Sequence, residues 1–346
     1  MTIPLRLRIE GAALRAALKL PRAWLVRVLG GRRVERDGCV LDEQLQLIAF
    51  LAKKMGRAEL RGRRALAIER AAFDLDAASL VHRPVELHRV RDLSTNAGTP
   101  LRVYTPRGAP ASAPTVVFYH GGGFVFGGLA SHDGICRALA HDVGCVVVAV
   151  DYRVAPEHAF PAAVDDATAA FRWIVGNAST LGVDAARVAV AGDSAGGNLS
   201  AVVCIDTAVD AVRPCFQALV YPTTDDTQSF GSIRSMADAP FLDAAAVDWY
   251  RAQYASDPAL WRHPRVSPWL HPDVSGLPPA LVQTAGFDPL RDEGEGYGEK
   301  LRAAGVPVTV TRYPSLSHGY LNMLGTLDAA DQPWRELVAA LRDAFR

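Results

Sequence analysis

The sequence predicts an α/β fold, a mostly parallel sheet with helices on both faces. Two observations carry this. From residue 115 onward, short β-branched runs alternate with longer segments of helical spacing, as strands joined by crossover helices do. Before that, residues 1–80 are rich in Ala, Leu and Arg and read as helices with no convincing strand.

In the N-terminal part, residues 41–54 place Leu41, Leu45, Ile48 and Ala49 at helical spacing. Residues 14–29 read as a basic amphipathic helix that either touches a membrane or covers an active site. The texture changes at His82-Arg83-Pro84. Residues 85–93 alternate apolar and polar, and 101–104 follow a glycine-containing turn, which predicts an antiparallel pair at a sheet edge. Further strands are expected at 115–119, 145–150, 187–191, 216–221, 280–285 and 308–313. Helices are expected at 160–177, with Pro161 in the first turn, and at 195–208, 292–304 and 333–346. One segment breaks the alternation: almost sixty residues separate Tyr221 from Ala280. Residues 243–255 look helical there and carry Trp249 and Tyr250. An insertion of that length is expected to act as a lid or binding element. The organisation is then an N-terminal helical segment at 1–80 and an α/β domain at 81–346, with an insertion at about 225–270.

Composition sets the class. Hydrophobic residues make up 49% of the 346 and charged residues 21%, which excludes wholesale disorder. Lys+Arg and Asp+Glu both number 37, so no global basic bias points to nucleic acid. Residues 1–85 hold seventeen Lys and Arg against nine Asp and Glu. That surplus reads either as a solvated helical face or as a surface drawn to anionic membrane, a peripheral contact by the basic N-terminus. The five cysteines are odd in number and lack C-x-x-C spacing, so neither a disulfide framework nor a zinc site is expected. Cys145 and Cys204 sit in apolar runs and read as small core residues. A reducing, cytoplasmic location follows as the expectation. Arg15, Lys19, Arg22 and Arg27 interrupt every candidate signal-peptide core, and no apolar run reaches the roughly 18–20 residues of a membrane span.

The chemistry centres on Gly192-Asp193-Ser194-Ala195-Gly196, between the strand at 187–191 and the helix at 195–208. A serine on a sharp strand-to-helix turn is lifted clear of the sheet, and flanking glycines relieve the crowding. A second motif, His120-Gly121-Gly122-Gly123-Phe124, follows the strand at 115–119. Consecutive glycines let backbone N–H groups converge on a small anion, such as the tetrahedral intermediate of acyl transfer. The N–H groups of Gly122, Gly123 and Ala195 are the assigned oxyanion donors. No G-K-[ST] follows, which leaves the phosphate-cradle reading weak. His120 is a base by type, but its place before the glycines suits a loop-holding role.

A serine nucleophile needs a base, and the base an orienting acid. Asp288 lies just past the strand at 280–285 and His318 just past the strand at 308–313, the side where Ser194 emerges. They also satisfy the order Ser, Asp, His. Asp292 and Glu293 compete as acids but read as first-turn helix charges. His132, His141, His158, His263 and His271 lack a strand-end setting. No metal site is expected, because no H-x-x-x-H or E-x-x-H spacing recurs.

With these residues, the chain resembles the hormone-sensitive-lipase-like esterases, the family IV carboxylesterases of the α/β-hydrolase superfamily. The matching stretches are His120 to Phe124, Asp151-Tyr152-Arg153-Val154-Ala155-Pro156-Glu157-His158-Ala159-Phe160-Pro161-Ala162-Ala163, Gly192 to Asn198, Asp288-Pro289-Leu290-Arg291-Asp292-Glu293, and His318-Gly319-Tyr320. They occur in family order over roughly residues 85–346. The resemblance implies an eight-stranded core with its second strand antiparallel, and a cap made from the N-terminal helices and the insertion after Tyr221. It supports Ser194, Asp288 and His318 as the triad. It implies a buried polar network of Tyr152, Arg153 and Glu157, and a local structural role for Asp193. A homodimer and short- to medium-chain acyl esters are further expectations of the resemblance. No cofactor is required.

The segment before about residue 80 carries no family motif. Trp24, Phe241, Trp249, Tyr250 and Trp261 fall in the expected cap, where they either line an acyl pocket or pack the cap onto the core. Two other functions stay open at this stage. One is an arylacetamide-type deacetylase or amidase on the same triad, since pocket shape sets the leaving group. The other is a non-catalytic small-molecule binding protein of the same fold, against which the presence of all three triad residues argues.

Overall fold

The computed structural model describes residues 4–55 and 65–346. The chain opens with α1 (Leu5–Leu18) and α2 (Arg22–Val28), a small hairpin of β1 (Glu35–Arg36) and β2 (Cys39–Val40), then α3 (Glu43–Lys54) and α4 (Leu66–Leu80). Two expectations are corrected here. The helix expected at 14–29 is two helices, broken at Leu20-Pro21, because proline lacks an N–H and drives the preceding residue out of helical geometry. The region also does contain strands. Asp37 and Gly38, both at positive φ, turn β1 back onto β2, as an Asp-Gly pair does in a tight hairpin.

The rest follows the expected alternation. Its elements are β3 (Arg89–Ser94), β4 (Pro100–Thr105), β5 (Ala113–Tyr119), α5 (Asp133–Val143), β6 (Val146–Val150), α6 (Ala162–Gly176), α7 (Ala178–Leu181), β7 (Val183–Asp193), α8 (Ala195–Asp206) and β8 (Gln217–Val220). Then come α9 (Ser232–Ser235), α10 (Ala244–Tyr254), β9 (Ala280–Phe287), α11 (Arg291–Ala303), β10 (Val308–Ser317) and α12 (Asp331–Ala344). Helix α5 is the one long element absent from the sequence reading.

The sheet runs β10-β9-β8-β7-β5-β6-β4-β3. Only β4 is antiparallel to both neighbours, and with β3 it forms the expected edge pair. Strand β6 is Val-Val-Val-Ala-Val with every residue buried, as a strand covered on both faces requires. Successive side chains enter opposite layers: Val147 packs with α5 and α12, Val148 with α6, α8 and α11.

The N-terminal helices dock late in the sequence. The Asp42 side chain caps α3, and its N–H donates to the Ser315 carbonyl (2.9 Å). The Gln44 amide donates to the Leu18 carbonyl and to Asp328 (2.9 Å each). These contacts hold α1 and α3 above the C-terminal ends of the parallel strands.

Candidate active site

Strand β7 ends in Asp193 and α8 begins at Ala195, so Ser194 is the whole turn between them. Its φ of 55° and ψ of −117° lie where side-chain-bearing residues are strained. The turn is held by the Ser194 N–H donating to the Val220 carbonyl (2.9 Å) and by close approach at Gly196. A Cβ on Gly196 would overlap the Tyr119 carbonyl oxygen, so no larger residue fits without moving β5 or α8.

The hydroxyl faces the base chosen from sequence. His318 Nε2 lies 2.9 Å from Ser194 Oγ, and His318 Nδ1 lies 2.8 Å from Asp288 Oδ2. A carboxylate only accepts, so Nδ1 carries the proton and Nε2 is left to accept from the serine. Asp288 is fully buried, and its other oxygen accepts from the Leu290 N–H (2.9 Å). The Tyr221 ring packs beside the imidazole, 4.6 Å between centroids.

The glycine run lies alongside. Gly121 gives its N–H to Asp193 Oδ1 (2.9 Å). Among the described residues, none accepts a backbone hydrogen bond from the N–H of Gly122, Gly123 or Ala195. Gly122 has φ 120°, and a Cβ there would overlap the Phe126 carbonyl. The Tyr250 ring of α10 covers Gly123 from the cap side.

Supporting groups hold the loop. Asp193 is buried with the His132 ring nitrogen 3.1 Å away. Burial pushes its carboxyl up, but the His132 ring and the hydrogen bonds it accepts outweigh that and hold it below the usual range. His120 stacks on Tyr152 (4.1 Å) and its Nδ1–H donates to the Gly121 carbonyl (2.8 Å). Burial, then the neighbouring His132, lowers its pKa to about 3, so the ring is neutral.

Two further readings are corrected. Tyr152, Arg153 and Glu157 do not form one buried network: Tyr152 donates to the His120 carbonyl, Arg153 pairs with Asp166, and Glu157 pairs with Arg70. The last two lie at half-exposed side chains. Glu293 is no solvated first-turn charge. It is buried, accepts from the N–H groups of Thr224 (2.6 Å) and Asp225 (3.2 Å), and so brackets the loop after β8. Asp292 does sit in the first turn of α11, paired with Arg291.

A cavity of about 1140 Å³ opens over Ser194 and His318, walled by the inner faces of α1, α3 and α4 and by α10. Of the five expected aromatics, Phe241 and Tyr250 line it. Trp24 is 60% exposed on α2, Trp249 stacks on Phe126 (5.8 Å), and Trp261 carries the Arg251 guanidinium at 3.8 Å. The sequence reading missed Phe73, Phe126, Tyr254 and Asp226 in the wall. For Phe126 the signal was available, since it lies three residues beyond the last glycine of the run.

Among the described residues, no cluster of His, Cys, Asp or Glu is arranged to hold a metal, and no helix is long and apolar enough to cross a membrane.

Residues 116–322 match a family model described as the alpha/beta hydrolase fold. The carboxylic ester hydrolase LipN of Mycobacterium tuberculosis is 41% identical, over 97% of this chain and 92% of its own length. The carboxylesterase NlhH of the same organism is 46% identical over 71% of this chain and 78% of its own. Among solved structures, ester-hydrolase EH1AB1 from the metagenome of Lake Arreo, complexed with a derivative of bipyridine phosphonate, superposes with a TM-score of 0.82. It is 39% identical, over 87% of this chain and 98% of its own.

Proposed function

This chain belongs to the alpha/beta hydrolase family and, within it, to the carboxylic ester hydrolases, and from that premise we propose which residues act and on what. The observation that carries the proposal is the unbroken chain Ser194 Oγ, His318, Asp288, at 2.9 and 2.8 Å. His318 Nε2 takes the Ser194 proton as Oγ attacks the ester carbonyl, and Asp288 stabilises the imidazolium that forms. The N–H groups of Gly122, Gly123 and Ala195 receive the oxyanion, each such donor contributing about 10²–10³ in rate. His318 then protonates the leaving alcohol. Water, deprotonated by the same imidazole, hydrolyses the acyl-enzyme.

The substrates are short- to medium-chain acyl esters of small alcohols. Residues 1–80 and about 225–270 form the cap, and 81–346 form the catalytic domain. The enzyme is cytoplasmic, a location supported by its five free thiols. Exposed Leu5, Ile9, Trp24 and Val28 among the arginines of α1 and α2 support a peripheral membrane contact, which co-sedimentation with anionic against neutral vesicles tests. The expected homodimer is tested by light scattering.

The primary test is turnover of p-nitrophenyl esters from acetate to palmitate by wild type and Ser194→Ala. Turnover that peaks at short or medium chains and vanishes in the variant supports the proposal. Activity surviving in Ser194→Ala removes that residue from the mechanism.

A further inference from the structure

The mechanism leaves one buried polar group in the cavity wall unused. Asp226 lies beyond β8 on the loop that Glu293 brackets, and it lines the cavity while only 9% exposed. Its backbone is fixed at both ends. The N–H donates to Ser267 Oγ (2.8 Å), and the carbonyl accepts from Arg251 Nη1 (2.9 Å). The nearby cation is therefore spent elsewhere: Arg251 holds the Asp226 carbonyl and the Asp248 carboxylate, and lies over Trp261. Among the described residues, none donates a hydrogen bond to the Asp226 carboxylate. Burial pushes this acid up to about 7, with Arg251 pulling it down and Asp225 adding to the rise. Behind the wall the Tyr254 hydroxyl is sealed and, among the described residues, has no hydrogen-bond partner; the Asp226 charge reaches it.

Position decides which half of the substrate meets these groups. The leaving alcohol must lie against His318, which the Tyr221 ring flanks. Tyr254 stacks instead on Phe124 (3.8 Å), next to the glycine run, and we take this part of the cavity as the acyl side. A plain alkyl chain placed there leaves the Asp226 carboxylate without a donor, whereas a chain bearing one pairs it.

We propose that Asp226 is a specificity-determining acceptor for acyl chains that carry a hydrogen-bond donor, a hydroxyl or an ammonium group. The inference rests on the ester-hydrolase mechanism above.

The test compares kcat/KM for ethyl hexanoate, ethyl 6-hydroxyhexanoate and ethyl 6-aminohexanoate in wild type, Asp226→Asn and Asp226→Leu. A hydrogen bond to a charged partner sets the expected preference of wild type for the donor-bearing esters at about tenfold or more. Asp226→Asn keeps the hydroxyl preference, because its amide oxygen still accepts, and loses the ammonium preference. Asp226→Leu inverts both. Asp226 is faced by Arg251, Asp225, Glu293 and Tyr254. The ammonium-to-hydroxyl ratio in wild type therefore rises between about pH 6 and 8 as the acid ionises. The ratio stays flat in Asp226→Asn. A wild type that does not prefer the donor-bearing esters overturns the proposal whatever the variants do, and so does Asp226→Leu with an unchanged preference. Ser194-dependent turnover of p-nitrophenyl acetate, too short to reach this wall, reports the hydrolase mechanism separately, so its loss sinks that reading instead.

Discussion

Replacing Asp288 by Asn tests the triad through the orientation of a single amide. In the wild type, Oδ1 accepts from the Leu290 N–H (2.9 Å) and Oδ2 accepts from His318 Nδ1–H (2.8 Å). Asparagine has one oxygen to serve both donors. The Leu290 N–H is fixed backbone at the start of α11, so the amide oxygen stays on it and the NH₂ turns toward the imidazole. Nδ1 must then accept, which moves the ring proton to Nε2, 2.9 Å from Ser194 Oγ. A protonated Nε2 cannot take the serine proton. The tautomer penalty seen for the same substitution in other serine hydrolases is about 10⁴ in kcat. At 1.36 kcal/mol per decade that is about 5.4 kcal/mol of transition-state stabilisation. KM should change little, because no substrate contact is lost. The assay is kcat and KM on p-nitrophenyl butyrate, with thermal unfolding as a control for the fold. A soluble, folded Asp288→Asn enzyme with kcat within tenfold of wild type would refute both the acid assignment and the tautomer argument.

Gly196→Ala forces a methyl against the Tyr119 carbonyl and should cost about 3 kcal/mol in denaturant unfolding, with activity lost in parallel. His120 resists protonation until about pH 3, against an ordinary value of 6.5, so the unfolded chain binds the extra proton between those values. The stability His120 contributes is present above pH 6.5 and is lost as pH falls toward 3, and His120→Gln should flatten the stability–pH curve there by up to about 1.4 kcal/mol per pH unit. Arg70 donates to the Val125 and Ala155 carbonyls (2.8 Å each) and pairs with Glu157. Arg70→Met should lower stability by about 1–3 kcal/mol and raise KM more than it lowers kcat, because Arg70 ties cap helix α4 to the segment after the glycine run.

The parallel sheet and the triad were legible because both are written locally. Most buried strands hold a short apolar run, and each triad residue sits a few residues past the end of one. The errors come from partners distant in sequence. Arg70, a cap residue, takes Glu157 away from the network expected around Tyr152, eighty-seven positions on. Glu293 has the spacing of a helix-start charge, and only the loop arriving from Thr224, sixty-nine positions earlier, shows that it is buried. Trp24 carries no mark in its neighbourhood to say that it faces outward. The hairpin at Asp37-Gly38 was readable in the turn residues, but its strands are too short to show alternation.

The nucleophile, acid and base follow β7, β9 and β10, parallel strands of one sheet in which β8 joins β7 to β9. The cavity roof hangs instead on scattered contacts such as those of Asp42, Gln44 and Arg70. Heating should therefore inactivate this enzyme in two stages. Discrimination among acyl chains fades first, as the roof loosens. Hydrolysis of the smallest esters persists until the sheet itself melts.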